Sequence, residues 1–581
     1  MPRLTRPAPP RRVVTLALAL ALAACRAGTT AAPAPADAPY DLVIENGRVV
    51  DGTGNAWYYG DVAVRGDRIA AVVPRGLLRQ ARAARRVDAT GLVVAPGFID
   101  IQGQSGNNLL FGDGRLVSKV TQGVTTEILG EGSSFAPATA AMQGDLGARP
   151  PAQRATLESL RGPRGFDAWL RAMESRGVSV NVGAFVGAGT LREYGMGMAM
   201  GVAGAAALDS MRAALARAMQ DGALGLGSAL IYPPGNFAGT AELVAVSRAM
   251  APHGGIYITH LRSEADAILE AMDEAIRIGR EAGVPVEIFH LKPAGQANWA
   301  KWPAVVAKID SARRAGLDVQ ATMYPYTAGA TGLTSCLPPW TSADGRLFDN
   351  LADSAVRARI RAEVARETKE WEDLCAQATP AGVLVSDLRT PALRPYAGKR
   401  LSEIAAAMGR TPLDAAMDLI LGERRRVETT YFLMSEENVR RNLQQPWMKI
   451  GTDASGLDPD STRSLVHPRA FGTYPRILGR YVRDEGVLSL EEAVRKMTSA
   501  VATRLSLADR GSLAQGSYAD IVLFDPATVM DRATYEQPLQ LSVGVRHVWV
   551  NGVQVVQDGR HTGATPGRAV RGPGWRGGGA R

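Results

Sequence analysis

The chain has 581 residues, 46% hydrophobic and 21% charged, enough apolar material for a large core and far from a disordered or fibrous composition. Its formal charge of +9 falls to +5 once the leader arginines Arg3, Arg6, Arg11 and Arg12 are set aside, and no basic stripe is interleaved with aromatic residues. No nucleic-acid partner is therefore expected. The leader arginines precede Val13–Ala24, an apolar run too short to span a bilayer comfortably, and no later segment is long and apolar enough to do so.

The run ends in Leu22-Ala23-Ala24-Cys25, which resembles a bacterial lipobox. That resemblance implies a signal peptide over 1–24, a lipid on Cys25 as the membrane anchor, and export to the cell envelope or periplasm. The alternative is an ordinary signal peptide with an accidental cysteine. Residues 25–39, rich in Ala, Pro and Thr, read as a tether. Cys336 and Cys375 could form one disulfide in an exported protein, although their spacing does not demand it.

Residues 40–97 alternate apolar and polar positions, punctuated by Asn-Gly and Gly-Asp pairs, and the pattern returns over 495–565. Two such flanks predict a small β-sandwich built from both termini. Between them, over 98–494, strand-like runs such as GIYITH, VPVEIFH, LDVQATMYPY and WMKIGTD alternate with helical stretches such as Ala265–Gly283. Repeated βα units of ~30 residues imply a parallel sheet, either a barrel or a doubly wound sheet. A more helical, charged stretch over about 333–422 reads as a lid-like insertion, and 566–581 as a flexible basic tail.

Of six histidines, His260 and His290 stand at the ends of consecutive predicted strands, one βα unit apart. In a closed barrel those ends share the catalytic face. Glu131, between Gly130 and Gly132, and Asp453, in KIGTDASG, have the same strand-end context. Either carboxylate alone could be idle or cap a turn. Together, Glu131, His260 and His290 make an oxygen/nitrogen set suited to Zn²⁺, with Asp453 free to handle protons. His253 reads as a turn residue, His547 and His561 lie in or beyond the late β segment, and Ser263 lacks the nucleophile elbow of a serine hydrolase.

Beyond these residues, VVAPGFID, VTQGVTTEILGEG, ITHLRSE, FHLKPAG, MYPYTAGATGL, GTDASG and HPRAFGTYPRILGRYVRDEG resemble the N-acyl-D-amino-acid deacylase (D-aminoacylase) family of the amidohydrolase superfamily, over about residues 40–568. The resemblance implies a (β/α)8 TIM-type barrel and a zinc held by Glu131, His260 and His290, where the family often has Cys in place of Glu131. It further implies Asp453 as general base and acid, substrate contacts from Lys292, Tyr324 and Arg469, and a small N-acylated amino acid as substrate. At the superfamily's His-x-His position this chain has Gln102-Gly103-Gln104. Neutral amides are poor zinc ligands, so one zinc is expected and the second position is weakened. The alternatives are cyclic amide, dipeptide or carbamate hydrolysis, or a catalytically silent binding lipoprotein.

Overall fold

The computed structural model describes residues 39–577, apart from 145, 148 and 367–369. The expected signal peptide, Cys25 and nearly all of the tether lie outside the described residues. Among the described residues, no helix is long and apolar enough to cross a membrane.

Eight parallel strands surround the site: β1 (Phe98–Asp100), β2 (Val124–Leu129), β3 (Asn181–Ala184 and Val186–Gly187), β4 (Gly225–Ala229), β5 (Ile256–His260), β6 (Val286–Ile288), β7 (Val319–Met323) and β8 (Met448–Ile450). They pair in order, β1-β2-β3 and β3-β4-β5-β6-β7-β8, so the two parts of β3 join one ladder to the other. The remaining seam is carried by a single parallel bridge between Gly103 and Ala454. Of the two arrangements the βα period allows, the chain adopts the barrel, with helices between successive strands. Strands such as β2 and β5 are buried on both faces, although β2 carries Thr125, Thr126 and Glu127 within an otherwise apolar run.

The helix after β5 shows how sequence sets these units. Ile268, Ala271, Met272, Ala275, Ile278, Gly279 and Ala282 form one buried stripe of Ile268–Ala282. Gly283 then ends the helix with φ +71°, which glycine adopts without steric cost.

The terminal flanks meet in a single nine-stranded sheet, in which Val93–Pro96 pairs antiparallel with Ile521–Phe524. Leu42 and Ile44 pack with Leu523 and Trp549, while Val43 points to a separate cluster with Ala63 and Leu78, as period-two alternation requires. Residues 495–510, expected within this β region, instead include parts of the helices Leu490–Met497 and Ser499–Arg504. The stretch beyond 565 is not a free tail over its described part. Pro566 and Ala569 bridge to Val178 and Val182, Val570 is buried, and Arg571 pairs with Asp167 at 2.7 Å. Gly567 permits this approach, since a Cβ there would lie 1.9 Å from the Val180 carbonyl oxygen.

The insertion after β7 is wider than its helical signal. It begins with a three-stranded antiparallel sheet (Ala328–Gly332, Glu428–Phe432, Val383–Val385) and has its own core around Leu333, Leu351, Ile360, Ile404 and Leu419. Cys336 and Cys375 are disulfide-bonded within it. Removing both cysteines by alanine replacement should lower the insertion's stability by about 2–4 kcal/mol, seen as a lower denaturant midpoint. An unchanged midpoint would show that the insertion's apolar core holds it alone.

Candidate active site

Past the C-terminal ends of the strands lies a cavity of about 1390 Å³, lined by Glu131, His260, His290, Lys292, Tyr324, Asp453 and Arg469 from the barrel. The insertion adds Asp387, Arg426 and Tyr431 to its wall. All seven residues singled out in the barrel sequence therefore face one space. His260 ends β5, Glu131 and His290 follow β2 and β6 by two residues, and Asp453 follows β8 by three. His290 and Asp453 have φ of +34° and +50°, left-handed values uncommon for residues with a Cβ. Strain of this kind persists where surrounding contacts enforce it, and it often marks functional sites.

Glu131 Oε1 lies 3.3 Å from His260 Nδ1 and 3.0 Å from His290 Nε2, and one donor atom from each residue falls within 4.8 Å of the others. The other oxygen, Oε2, accepts hydrogen bonds from the amides of Gln102 (2.7 Å) and Gln104 (2.8 Å). Burial opposes charge on Glu131, but His290 and His260 hold it well below the usual carboxylate range. Burial pushes His260 down. For His290, burial and Lys292 also push down, yet Glu264 and Glu131 outweigh them and lift it to about 9.

Glu264, four residues beyond His260 in ITHLRSE, carries a role that the sequence does not reveal. It sits 2.9 Å from His290 Nδ1 and accepts from Lys292 Nζ at 2.7 Å. A carboxylate there orients the imidazole and leaves Nε2 turned toward Glu131. The one sequence signal was its i+4 spacing from His260. Burial would neutralise Glu264, but Lys292 and the histidines hold it ionised, and Lys292 in turn stays a cation because Glu264 outweighs its burial.

Arg469 Nη1 lies 2.7 Å from Asp453 Oδ2, an ion pair by distance, although its Nε and Nη1 are spent on no hydrogen bond. Burial raises Asp453, Arg469 pulls it down and Glu131 lifts it again, leaving it at about 6. His467, assigned no role from sequence, steadies the arginine. Its Nδ1 accepts the Arg469 backbone N–H at 3.0 Å while Nε2 donates to the Ala328 carbonyl at 2.9 Å. Tyr324 stacks under the guanidinium at 4.5 Å, and burial keeps its phenol neutral.

Beneath the site, fully buried Lys119 pairs with Asp100, Glu127 and Thr452. Asp100 also accepts the backbone N–H groups of Gln102 and Thr452. This network ties the ends of β1 and β8 together, and no local sequence pattern singled it out.

The donor set fits a metal on its own chemistry. One carboxylate and two imidazoles converge, with His260 Nδ1 and His290 Nε2 both facing Glu131 Oε1, and a second carboxylate, Asp453, waits alongside. A family model described as "Amidohydrolase family" matches residues 175–556. A D-aminoacylase of Alcaligenes xylosoxydans xylosoxydans is 37% identical over 92% of this chain and 98% of its own length. The chain belongs to the amidohydrolase family. This amidohydrolase also superposes on a solved N-acyl-D-glutamate deacylase from Bordetella bronchiseptica complexed with zinc and a phosphonate mimic of the tetrahedral intermediate. That match has a TM-score of 0.74 and 32% identity, and covers 92% of this chain and all of the other. A solved D-aminoacylase with a binuclear metal centre, described as activated by one metal and attenuated by the second, gives the same TM-score at 36% identity over 92% of this chain and all of its own.

Proposed function

We propose that this amidohydrolase is a zinc enzyme that releases the acyl group from N-acyl-D-amino acids. The observation that carries the reading is the convergence of Glu131 Oε1, His260 Nδ1 and His290 Nε2 beside an acid–base carboxylate, Asp453. Relatives named as D-aminoacylase and N-acyl-D-glutamate deacylase, alike over more than nine-tenths of the chain, support the substrate class. One zinc accords with the one three-donor group that lines the cavity among the described residues, since in the other, Cys336, Asp373 and Cys375, the cysteines are tied in a disulfide, and it accords with amides at Gln102 and Gln104.

Zinc bound by Glu131, His260 and His290 would act as a Lewis acid and lower the pKa of water from 15.7 toward about 7. Asp453, as the carboxylate, accepts a proton from the attacking water. It then returns that proton to the amide nitrogen, which is too basic to leave as an anion. Arg469 lines the cavity and would turn its planar guanidinium to the substrate's carboxylate, a match that lysine lacks. Tyr324 braces that guanidinium, and Lys292 keeps Glu264 ionised behind His290 while presenting its charge to the cavity.

The test is amine release from matched N-acetyl-D- and N-acetyl-L-amino acids by zinc-loaded protein lacking residues 1–25. Release from the D series alone is expected. Equal release from both would remove the stereochemical claim, and release from neither would remove the substrate class.

Export with a lipid on Cys25 is part of the same proposal. It is supported by the leader and by the Cys336–Cys375 disulfide, a bond that persists in oxidising compartments. Cys25→Ser should move the full-length protein from the membrane to the soluble fraction. Retention in the membrane would rule the anchor out.

A further inference from the structure

We infer that Gln102 and Gln104 form an amide clamp that limits the site to one metal ion per chain and positions Glu131 and Asp453 around it. The inference rests on the metal-hydrolase reading above and adds to it what the two amides do to Glu131 and Asp453.

The two oxygens of Glu131 do different work. Oε1 faces both histidines, whereas Oε2 accepts from two amide groups, at 2.7 and 2.8 Å. An ionised carboxylate can only accept, so each glutamine must turn its NH2, not its carbonyl, toward it. Gln102 is locked in that orientation, because its side-chain carbonyl accepts from Thr322 Oγ1 at 3.2 Å. It is 1% exposed, and a Cβ at the neighbouring Gly451 would lie only 2.8 Å from its own Cβ. Its backbone carbonyl accepts the Asp453 N–H at 2.8 Å, so one residue fastens the ligand carboxylate and the base.

Gln104 completes the clamp. The same NH2 that reaches Glu131 lies 3.2 Å from Asp453 Oδ1, while Asp453 Oδ2 faces Arg469. Each carboxylate oxygen now has a defined partner: Glu131 Oε1 the histidines, Glu131 Oε2 both amides, Asp453 Oδ1 one amide and Asp453 Oδ2 the guanidinium. A second cation entering between Glu131 and Asp453 would meet N–H dipoles aimed at it and a neighbouring arginine. The amides supply the positive potential that holds two close carboxylates together, and no second ion is needed. Hydrogen bonds of this sort to a ligating carboxylate fix its orientation.

The experiment counts zinc per chain. Metal-free protein is titrated with Zn²⁺ by calorimetry, and retained zinc is measured by mass spectrometry after desalting from a large excess. Wild type should retain one ion, and Gln102→His/Gln104→His, which exchanges donors for ligands, should retain two. Two ions on wild type, or one on the double variant, would overturn the limit to one metal. Gln104→Ala, a milder change, should keep its single zinc while kcat falls about 10–100-fold with KM unchanged. An unchanged kcat would overturn the positioning role. A wild-type chain that binds no zinc would sink the metal reading itself. One bound zinc with no release from N-acyl-D-amino acids would sink only the substrate assignment.

Discussion

Asp453→Asn should lower kcat by about 10²–10⁴-fold, the range typical of a lost general acid–base group, or about 2.7–5.4 kcal/mol of barrier. Asparagine nearly preserves the shape and can still face Gln104, so zinc content should stay at the wild-type level. What it loses is the ability to take a proton and return it. The substitution also leaves Arg469 buried beside a neutral amide instead of a carboxylate 2.7 Å away, so a modest loss of stability accompanies the kinetic effect. The pH profile supplies a second readout. The base works only when ionised, so kcat/KM should fall as pH drops through its pKa. Burial and Glu131 raise that value to about 6 in the metal-free chain despite Arg469. A cation alongside favours the carboxylate, which puts the acidic limb at or below pH 6. The limb should vanish in Asp453→Asn. A variant retaining wild-type kcat and the same limb would remove Asp453 from the chemistry.

His260→Ala should abolish both zinc retention and hydrolysis, a larger effect than the roughly 10–100-fold cost of losing an outer partner such as Glu264. The reason is donor count. Three side chains converge here, and removing His260 leaves two donors, too few to hold the ion tightly. Glu264→Gln makes the matched comparison, because it leaves all three donors and changes only what stands behind them, the orientation of His290 and the counter-charge of Lys292. Zinc binding should also weaken as pH is lowered. Glu264 and Glu131 lift His290 to about 9 against burial and Lys292, and the proton it then carries must leave before the nitrogen can bind a metal. Zinc measured at several pH values on both variants separates these effects. Undiminished zinc in His260→Ala would eliminate the proposed ligand set.

Much of this architecture was legible because it is written in short-range patterns. The alternation over Tyr40–Val49 predicts strands, since Leu42 and Ile44 must share a face that Val43 cannot. The stripe over Ile268–Ala282 predicts a helix for the corresponding reason at period 3.6. The insertion was harder. Its strand Ala328–Gly332 reads AGATG, with no bulky alternation, and Val383–Val385 is three residues long, so only its helices gave a signal. Gly567 hid the docking of the last segment in the same way. A glycine that looks like tail composition is in fact the position where backbone meets backbone.

The sequence by itself determined the β-rich flanks, the βα period and the strand-end placement of Glu131, His260, His290 and Asp453, because hydrophobic periodicity and glycine punctuation act over a few residues. Lys292, Tyr324 and Arg469 came from family resemblance, since nothing local distinguishes them from other polar residues. Only the tertiary structure decided that Glu264 backs His290, that Arg469 pairs with Asp453, and that Gln102 and Gln104 grip Glu131 Oε2. Gln104 also reaches Asp453, 349 positions away. The meaning of these contacts depends on which atom of a side chain faces which neighbour, a direction set by the closing of the barrel and carried by no local pattern.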